Sequence, residues 1–355
     1  MPLSPPQPTP TNSPWWESLY DEHLATILLE RRDPESHRAE LDFIEAQLQL
    51  SSGARVFDQC CGIGSLALPM AQRGYEVHAI DLIEGYIVRG RREAAAAGVV
   101  VDYQCGDAMR LTARRSCDAA YNWWTSFGYA DDDATNLQML RRAWESLRPG
   151  ARFLLDTMNA PGIRHAFLPV VELERTTARG PLFLTRRSVL EDEGRFLRKH
   201  WLYRLPDGST REHHSRVRLY DPDELLHLFE RARFEPLRCF GDVDASELGL
   251  ESRRCIGQFA LAMVEGALRT ADAAEVETQH CKSAPGEHVV HLVDDLVVHR
   301  AAELRMQMQN QGNGRVAFSG GMEPALKPAG GTVEDHLRHE TLCPCHFVAQ
   351  KKIAR

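Results

Sequence analysis

Apolar residues recur at two spacings along the chain, and the switches between them mark its elements. In "WWESLYDEHLATILLERRD" the residues Leu19, Leu24, Ile27 and Leu28 fall at helical intervals, and in "SHRAELDFIEAQLQL" so do Leu41, Ile44 and Leu48, with Ser36 placed to cap the second helix. A turn at "SSG" then leads into short apolar runs at 55–58, 76–81, 100–105, 118–123 and 152–156, which read as buried strands. Helical stretches such as "SLALPMAQRG", "EGYIVRGRREAAAAG" and "NLQMLRRAWESLRPG" separate them, and Gly74, Gly98 and Pro149-Gly150 supply the stops. Such alternation predicts βαβ units, hence a mostly parallel sheet covered by helices on both faces.

Beyond Asn159 the texture changes. Strand patterns at 170–177, 183–190, 196–205 and 210–220 follow one another directly, joined by "EDEGR" and "LPDGS", and predict an antiparallel insertion at about 164–220. "DPDELLHLFERARF" is a helix with Asp221 as its cap and Pro222 at its first position, and strands near 237–240 and 255–263 suit a hairpin at the sheet edge. From 265 to 355 the periodicity fades, apart from one amphipathic stretch at 291–308, and the segment reads as a poorly ordered C-terminal extension of unknown role. Residues 1–14, rich in Pro, Ser and Thr, read as a disordered leader without the basic start and apolar core of a signal peptide.

Composition narrows the function classes. A 355-residue chain with 43% hydrophobic residues can bury a substantial core. Its formal net charge of −8 disfavours binding to nucleic acid or anionic membranes, and short clusters such as Arg31-Arg32, Arg89–Arg92 and Arg186-Arg187 read as solvated faces. No run reaches the roughly 18 apolar residues of a membrane helix, so a soluble, cytoplasmic protein is expected. Nine cysteines without regular spacing read mostly as reduced thiols.

The chemistry concentrates in "VFDQCCGIGS". A strand ending in Asp58 runs into Gly62 and Gly64 at the start of a helix, and the next strand ends in Asp81. Glycines let backbone amides approach a ligand at a helix N-terminus, and an acid ending the second strand can accept ribose hydroxyls. A third glycine of the dinucleotide pattern G-x-G-x-x-G is missing, and Asp58 would repel a pyrophosphate but suits a cationic ligand. The nicotinamide-type oxidoreductase reading fails on these two points.

The run "VFDQCCGIGSLALPMAQRGYEVHAIDL" resembles motifs I and II of class I S-adenosylmethionine-dependent methyltransferases, of the small-molecule type related to glycine N-methyltransferase. Laid on that pattern, Asp58 matches the acid, Cys60 occupies the first glycine position, Gly62 and Gly64 match the other two, and Asp81 with Leu82 falls at the ribose site. "CGDA" resembles motif III, which puts Asp107 and Ala108 against the adenine. "CDAAYNWWTSFGY" resembles motif IV, with Asn122 and Trp123 at the strand end facing the transferred methyl. "LRPGARFLLDTMN" resembles the stretch that follows, with Ala151 in place of a second glycine. The resemblance covers about 15–264, implies a Rossmann-like seven-stranded sheet ending in an antiparallel hairpin, and implies S-adenosylmethionine as cofactor. Cysteine at position 60 is a mild departure on steric grounds, provided the site does not demand a positive φ.

Methyl transfer from a sulfonium is an in-line displacement, so it needs alignment and exclusion of water more than a strong base. Trp16, Trp124, Phe127 and Tyr129 offer ring faces for a cation, with Trp15 and Tyr20 in a leading helix that can fold over the cofactor; packing in the core is the competing reading. Tyr129, Asn122 and His213 are the catalytic or orienting candidates, with His214 behind them, and Tyr220 and Arg216 join the substrate set, Arg216 and Arg218 as grips for a carboxylate. In the tail, Cys343-x-Cys345-His346 with His336 and His339 lacks paired zinc knuckles, so no metal is expected. The expected function is methyl transfer to a small metabolite, an amine favoured over sulfur or oxygen, from an enzyme that acts alone or as a homodimer. The reading from another class is a non-catalytic S-adenosylmethionine-binding sensor or assembly subunit.

Overall fold

The computed structural model describes residues 14–261 apart from 31, 32 and 115. The expected leader, the amphipathic stretch at 291–308 and the His/Cys tail lie outside the described residues.

A seven-stranded sheet forms the centre, in the order β10-β11-β5-β4-β1-β2-β3. Its strands are β1 (Arg55–Gln59), β2 (Glu76–Asp81), β3 (Val101–Cys105), β4 (Cys117–Asn122), β5 (Leu147–Met158), β10 (Phe234–Phe240) and β11 (Arg254–Leu261). The first five pair in parallel, while β11 runs antiparallel between β5 and β10. Alternate strand residues feed the two faces. Phe57, Ala120 and Phe153 meet Leu140 of α6 (Asp133–Ser146) and Phe229 of α8 (Pro222–Arg231) on one side. Val56, Ala119 and Leu154 meet Ile44 of α3 (Pro34–Leu48), Met70 of α4 (Ala67–Gln72) and Ile87 of α5 (Glu84–Ala96) on the other. Burial on both faces explains why these strands read as continuous apolar runs.

The expected insertion is a separate four-stranded antiparallel sheet of β6 (Val170–Thr177), β7 (Gly180–Glu191), β8 (Phe196–Arg204) and β9 (Thr210–Arg218), entered through the short helix α7 (Ala160–His165). Its core-facing residues Val171, Leu173, Leu182, Leu184, Trp201 and Tyr203 pack on Leu19, Leu24, Ile27 and Leu28 of the N-terminal segment. That segment is not one helix. Asp21 accepts the backbone N–H groups of His23 and Leu24, which ends α1 (Trp15–Leu19) and starts α2 (Glu22–Leu24), and the chain then closes in a wide turn at Ala25–Leu29. Likewise α3 is capped by Asp33, three residues before the expected cap Ser36, with Pro34 at its first position. The Asp221 cap of α8 forms as expected and is completed by Glu224 as a capping box. Among the described residues no helix is long and apolar enough to cross a membrane.

Candidate active site

Strand β1 delivers the buried Asp58 to the carboxyl end of the sheet, where Tyr121 of β4 donates its hydroxyl at 3.0 Å. Burial outweighs that bond and pushes the carboxyl up to about 8, helped by the nearby charge of Asp81. Cys60 follows with φ +69°. This is the left-handed region that glycine enters freely and cysteine does not, so the departure from glycine is not mild: it stores roughly 1–2 kcal/mol of backbone strain. Burial, then the charges of Asp81, Asp58 and Asp107, drives the Cys60 thiol well above its ordinary range, and Cys61 is raised in the same way. Both are therefore neutral thiols, poorly suited to redox or metal chemistry.

The next turn is closed by Asp81. One carboxylate oxygen accepts the Gly62 N–H at 2.8 Å and the other the Ile83 N–H at 2.9 Å. Burial still pushes this carboxyl up to about 6, against the lowering effect of those amides. Gly62 has φ +56° and contributes to the cleft wall, whereas Gly64 serves packing: a β-carbon there would lie 2.1 Å from the Tyr103 hydroxyl. Asp107 holds its own loop by accepting the Met109 N–H at 2.8 Å.

At the end of β4, Trp124 and Thr125 both have positive φ, 58° and 60°. Two left-handed bulky residues in succession need outside support, and Asp156 provides it. Its carboxylate accepts the Trp124 N–H at 2.9 Å, its carbonyl accepts the Thr125 N–H at 3.1 Å, and Arg254 clamps the carboxylate through bonds of 3.0 and 2.9 Å. The Trp124 indole N–H donates to Glu40 at 2.8 Å. Tyr129 then stands among the N-terminal aromatics, its ring centroid 4.7 Å from Trp15, 6.0 Å from Trp16 and 6.1 Å from Tyr20. The Tyr129 and Tyr20 hydroxyls are hydrogen-bonded to each other. Two anchors hold the N-terminal segment in place: Tyr86 donates to the Asp21 carbonyl at 2.8 Å and Ser65 to the Leu29 carbonyl at 2.9 Å.

These elements enclose a cleft with about 840 Å³ of empty space including its mouth. It brings together Trp16, Tyr20, Cys60, Gly62, Asp81, Leu82, Asp107, Ala108, Trp123, Trp124 and Tyr129 of the expected set. The other expected residues lie elsewhere. Asp58 and Gly64 stand behind the wall. Asn122 is fully buried with its amide N–H turned to Gln59 at 3.2 Å, and its carbonyl oxygen has no partner among the described residues. Phe127 and Tyr220 pack together in the core, ring centroids 5.3 Å apart, and the Tyr220 hydroxyl is engaged by Asp133 and Asn136. Arg216 is surrounded by Glu191, Asp131 and Asp192, and Arg218 is paired with Glu224. His213 sits on the four-stranded sheet beside Tyr203, and burial lowers its pKa. His214 stacks on His200, and with Glu212 they bring three ligand-type atoms within 4.8 Å on the sheet's outer side, a grouping that the expectation of no metal did not foresee.

Cleft residues that sequence reasoning missed are of two kinds. Cys61, Ile63, Ile83, Met109 and Ser126 adjoin motif positions and could have been found by extending each motif by a residue. Leu29, Tyr86 and Met139 arrive from other elements, so only tertiary contact reveals them.

Residues 56–150 match the family model described as a methyltransferase domain. The matched stretch is similar to a methyltransferase domain. Within that domain fall both strand-end acids, the glycine turn and the Trp123–Tyr129 loop. Over 119 residues the chain is 31% identical to a ubiquinone biosynthesis O-methyltransferase of Xanthomonas oryzae pv. oryzae, a match covering 34% of this chain and 48% of that enzyme. Over 201 residues it is 26% identical to the enzyme of the same name from Idiomarina loihiensis, covering 57% of this chain and 70% of the other. Among solved structures, the CcbJ methyltransferase of Streptomyces caelestis superposes with a TM-score of 0.56 at 22% identity, covering 70% of this chain and 97% of that one. A sugar N-methyltransferase of a Streptoalloteichus species does so with 0.51 at 15% identity, covering 74% and 97%. The methyltransferase fold is thus shared, while the chain spans about half the length of the Xanthomonas relative it matches.

Proposed function

We propose that the chain transfers the methyl group of S-adenosylmethionine to a nucleophilic atom, in first place an amine, of a small metabolite, within a cleft closed by aromatic rings. The observation that carries the reading is the composition of the cleft: two carboxylates, Asp81 and Asp107, together with the rings of Trp16, Tyr20, Trp123, Trp124 and Tyr129. Such a lining fits a cationic nucleoside. Asp81 has lone pairs left for ribose hydroxyls after accepting two backbone amides; the Asp107 loop would hold the adenine end and the Cys60–Gly62 turn the amino-acid end. The cofactor supplies an activated methyl group on a sulfonium.

What remains for the protein is alignment. Ring faces attract positive charge by their quadrupoles, worth about 0.5–2 kcal/mol each, and they keep water from the line of attack. The hydroxyls of Tyr20 and Tyr129, already bonded to each other, are placed to orient an amine lone pair and take up its hydrogen bond. With Asp58 neutral and the thiols of Cys60 and Cys61 neutral, nothing in that wall competes as nucleophile. A second reading, an oxygen acceptor, is favoured by the name of the Xanthomonas relative, an O-methyltransferase, of whose length the likeness covers 48%.

Calorimetry with S-adenosylmethionine and S-adenosylhomocysteine, followed by transfer of labelled methyl to a panel of amines, phenols and thiols, tests the reading. Binding of both with transfer to amines is the expected result. No binding of either overturns it, and binding without transfer to any acceptor turns it toward a sensor.

A further inference from the structure

The four-stranded sheet packs one face on the N-terminal segment through Trp201 and Tyr203, and alternation along β8 and β9 turns the residues between them to the other face. There His200 and His214 are direct cross-strand partners, their imidazoles stacked with ring centroids 4.8 Å apart at an interplanar angle of 13°. Glu212, two residues before His214 and so on the same face, has Oε2 3.1 Å from Nε2 of His200. One ligand atom from each of the three lies within 4.8 Å of the other two, the only such convergence of His, Cys, Asp or Glu among the described residues. We propose that His200, Glu212 and His214 bind a divalent transition-metal ion, zinc in first place. The proposed methyl transfer uses none of the three, and this site is independent of that reading.

The first support is geometry. A tetrahedral zinc ion with bonds of about 2.0–2.1 Å holds its ligand atoms roughly 3.3 Å apart. The pair of His200 and Glu212 already stands at that spacing, and His214 reaches it by side-chain rotation, since it and Glu212 are exposed. The backbone beneath them is fixed. Trp201 donates its indole N–H to Ser215 at 2.9 Å across the same two strands, and Tyr203 is fully buried, so the register that brings the two imidazoles together is locked from the other face.

The second support is availability. Among the described residues the side-chain hydrogen bonds of His200 and Glu212 are made to each other, and the His214 side chain makes none. In the next row of that face Arg198 and Arg216 are both paired with Glu191, so their charges are balanced there. The exposed Arg187, across from His200 on β7, adds a positive charge, and an affinity on the order of micromolar is expected for three ligands in that setting. Two imidazoles and one carboxylate suit zinc, copper or nickel, whereas magnesium and calcium ask for shells of oxygen. Three protein ligands leave the last position to water, and the bound ion fastens β8 to β9 behind the residues that carry the N-terminal segment.

The test titrates the full chain with zinc ion by calorimetry, in a buffer holding excess magnesium. The chain also carries histidines and cysteines at 280–346, so the readout is the difference between wild type and variants. His200→Asn and His214→Asn should each weaken one zinc site at least tenfold, Glu212→Gln should weaken the same site less, and the double His200→Asn/His214→Asn variant should lose one equivalent outright. Zinc should also raise the melting temperature of wild type more than that of the double variant. Melting temperatures without zinc show whether each variant folds, and His214→Gln, on the edge strand β9, replaces the double variant should that one melt early. If wild type takes up no zinc, or if the folded variants bind as many equivalents as tightly as wild type, the proposal fails.

Discussion

The two sides of the cleft are built in different ways. On the side we assign to the cofactor, three successive strand ends present Asp58, Asp81 and the loop of Asp107 within some fifty residues, Asp81 and Asp107 held by backbone N–H groups and Asp58 by the Tyr121 hydroxyl. On the side we assign to the acceptor, Trp16, Tyr20 and the Trp123–Tyr129 loop come from distant parts of the chain, and the N-terminal segment that brings the first two is backed by the four-stranded sheet through side-chain packing. A side made of local turns tolerates little change in the residues of those turns. A side made of packing depends on remote anchors.

The largest expected effect breaks such an anchor. Arg254→Leu leaves Asp156 and Glu40 as buried carboxylates without their shared cation, and should cost about 3–5 kcal/mol of stability, read as a drop in melting temperature. An unchanged melting temperature would mean that the strained turn needs no such support. Next, Asp81→Ala should weaken S-adenosylhomocysteine binding by roughly 100-fold, on about 1.5–3 kcal/mol for a hydrogen bond to a charged group, while circular dichroism stays that of the wild type. Cofactor affinity indifferent to this change would remove the distinction between the two sides.

Tyr129→Phe sharpens the comparison from the acceptor side. It should lower kcat about tenfold, near the value of one hydrogen bond, and leave S-adenosylhomocysteine affinity within twofold. A larger loss of affinity than of kcat would place Tyr129 on the cofactor side instead. The pH dependence follows from the raised carboxyls. Asp81, shifted up to about 6, is protonated below that value, so affinity for the cationic cofactor should rise as pH increases through 6, and Asp81→Asn should flatten the rise. For stability the sign is opposite: Asp58 keeps its proton in the fold up to about 8 while the unfolded chain loses it near 4. Stability from this group is full below about 4 and declines as pH climbs to 8, and Asp58→Asn should remove that slope in denaturant titrations.

The smallest effect is Cys60→Gly, which relieves the left-handed strain but adds freedom to the unfolded chain; a gain of at most about 1 kcal/mol is expected, with cofactor affinity unchanged. Loss of activity in this variant would reopen a thiol role.

The same division governs what was legible in the sequence. The seven-stranded sheet, the insertion and the strand-end residues were readable because each rests on local periodicity or on a motif a few residues long, as in Asp58 to Gly64. The acceptor side was read only in part. Trp16, Tyr20, Trp124 and Tyr129 were found as a cluster of rings, but Phe127, three residues from Trp124, turned inward to Tyr220 because a loop has no period from which to read direction. Arg216 looks in the sequence like a grip for a carboxylate, and only the acids that the fold gathers around it, Asp131, Glu191 and Asp192, show it to be committed elsewhere. The break at Asp21 was missed because apolar spacing reports which residues are buried, and a capped interruption of a single turn leaves that spacing almost intact.

That break has a kinetic meaning. Beyond it the N-terminal segment is fastened by Leu24, Ile27 and Leu28, each worth about 1.5–3 kcal/mol of burial, together with the Tyr86 and Ser65 anchors, so its departure as a whole is a rare event. Ahead of it, α1 is five residues long and buries only Leu19 fully. Of the two parts α1 is therefore the one expected to open first, taking Trp16 from the cleft wall, and Leu19→Ala should shorten the dwell time of a bound nucleoside in stopped-flow dissociation; an unchanged rate would place the opening elsewhere.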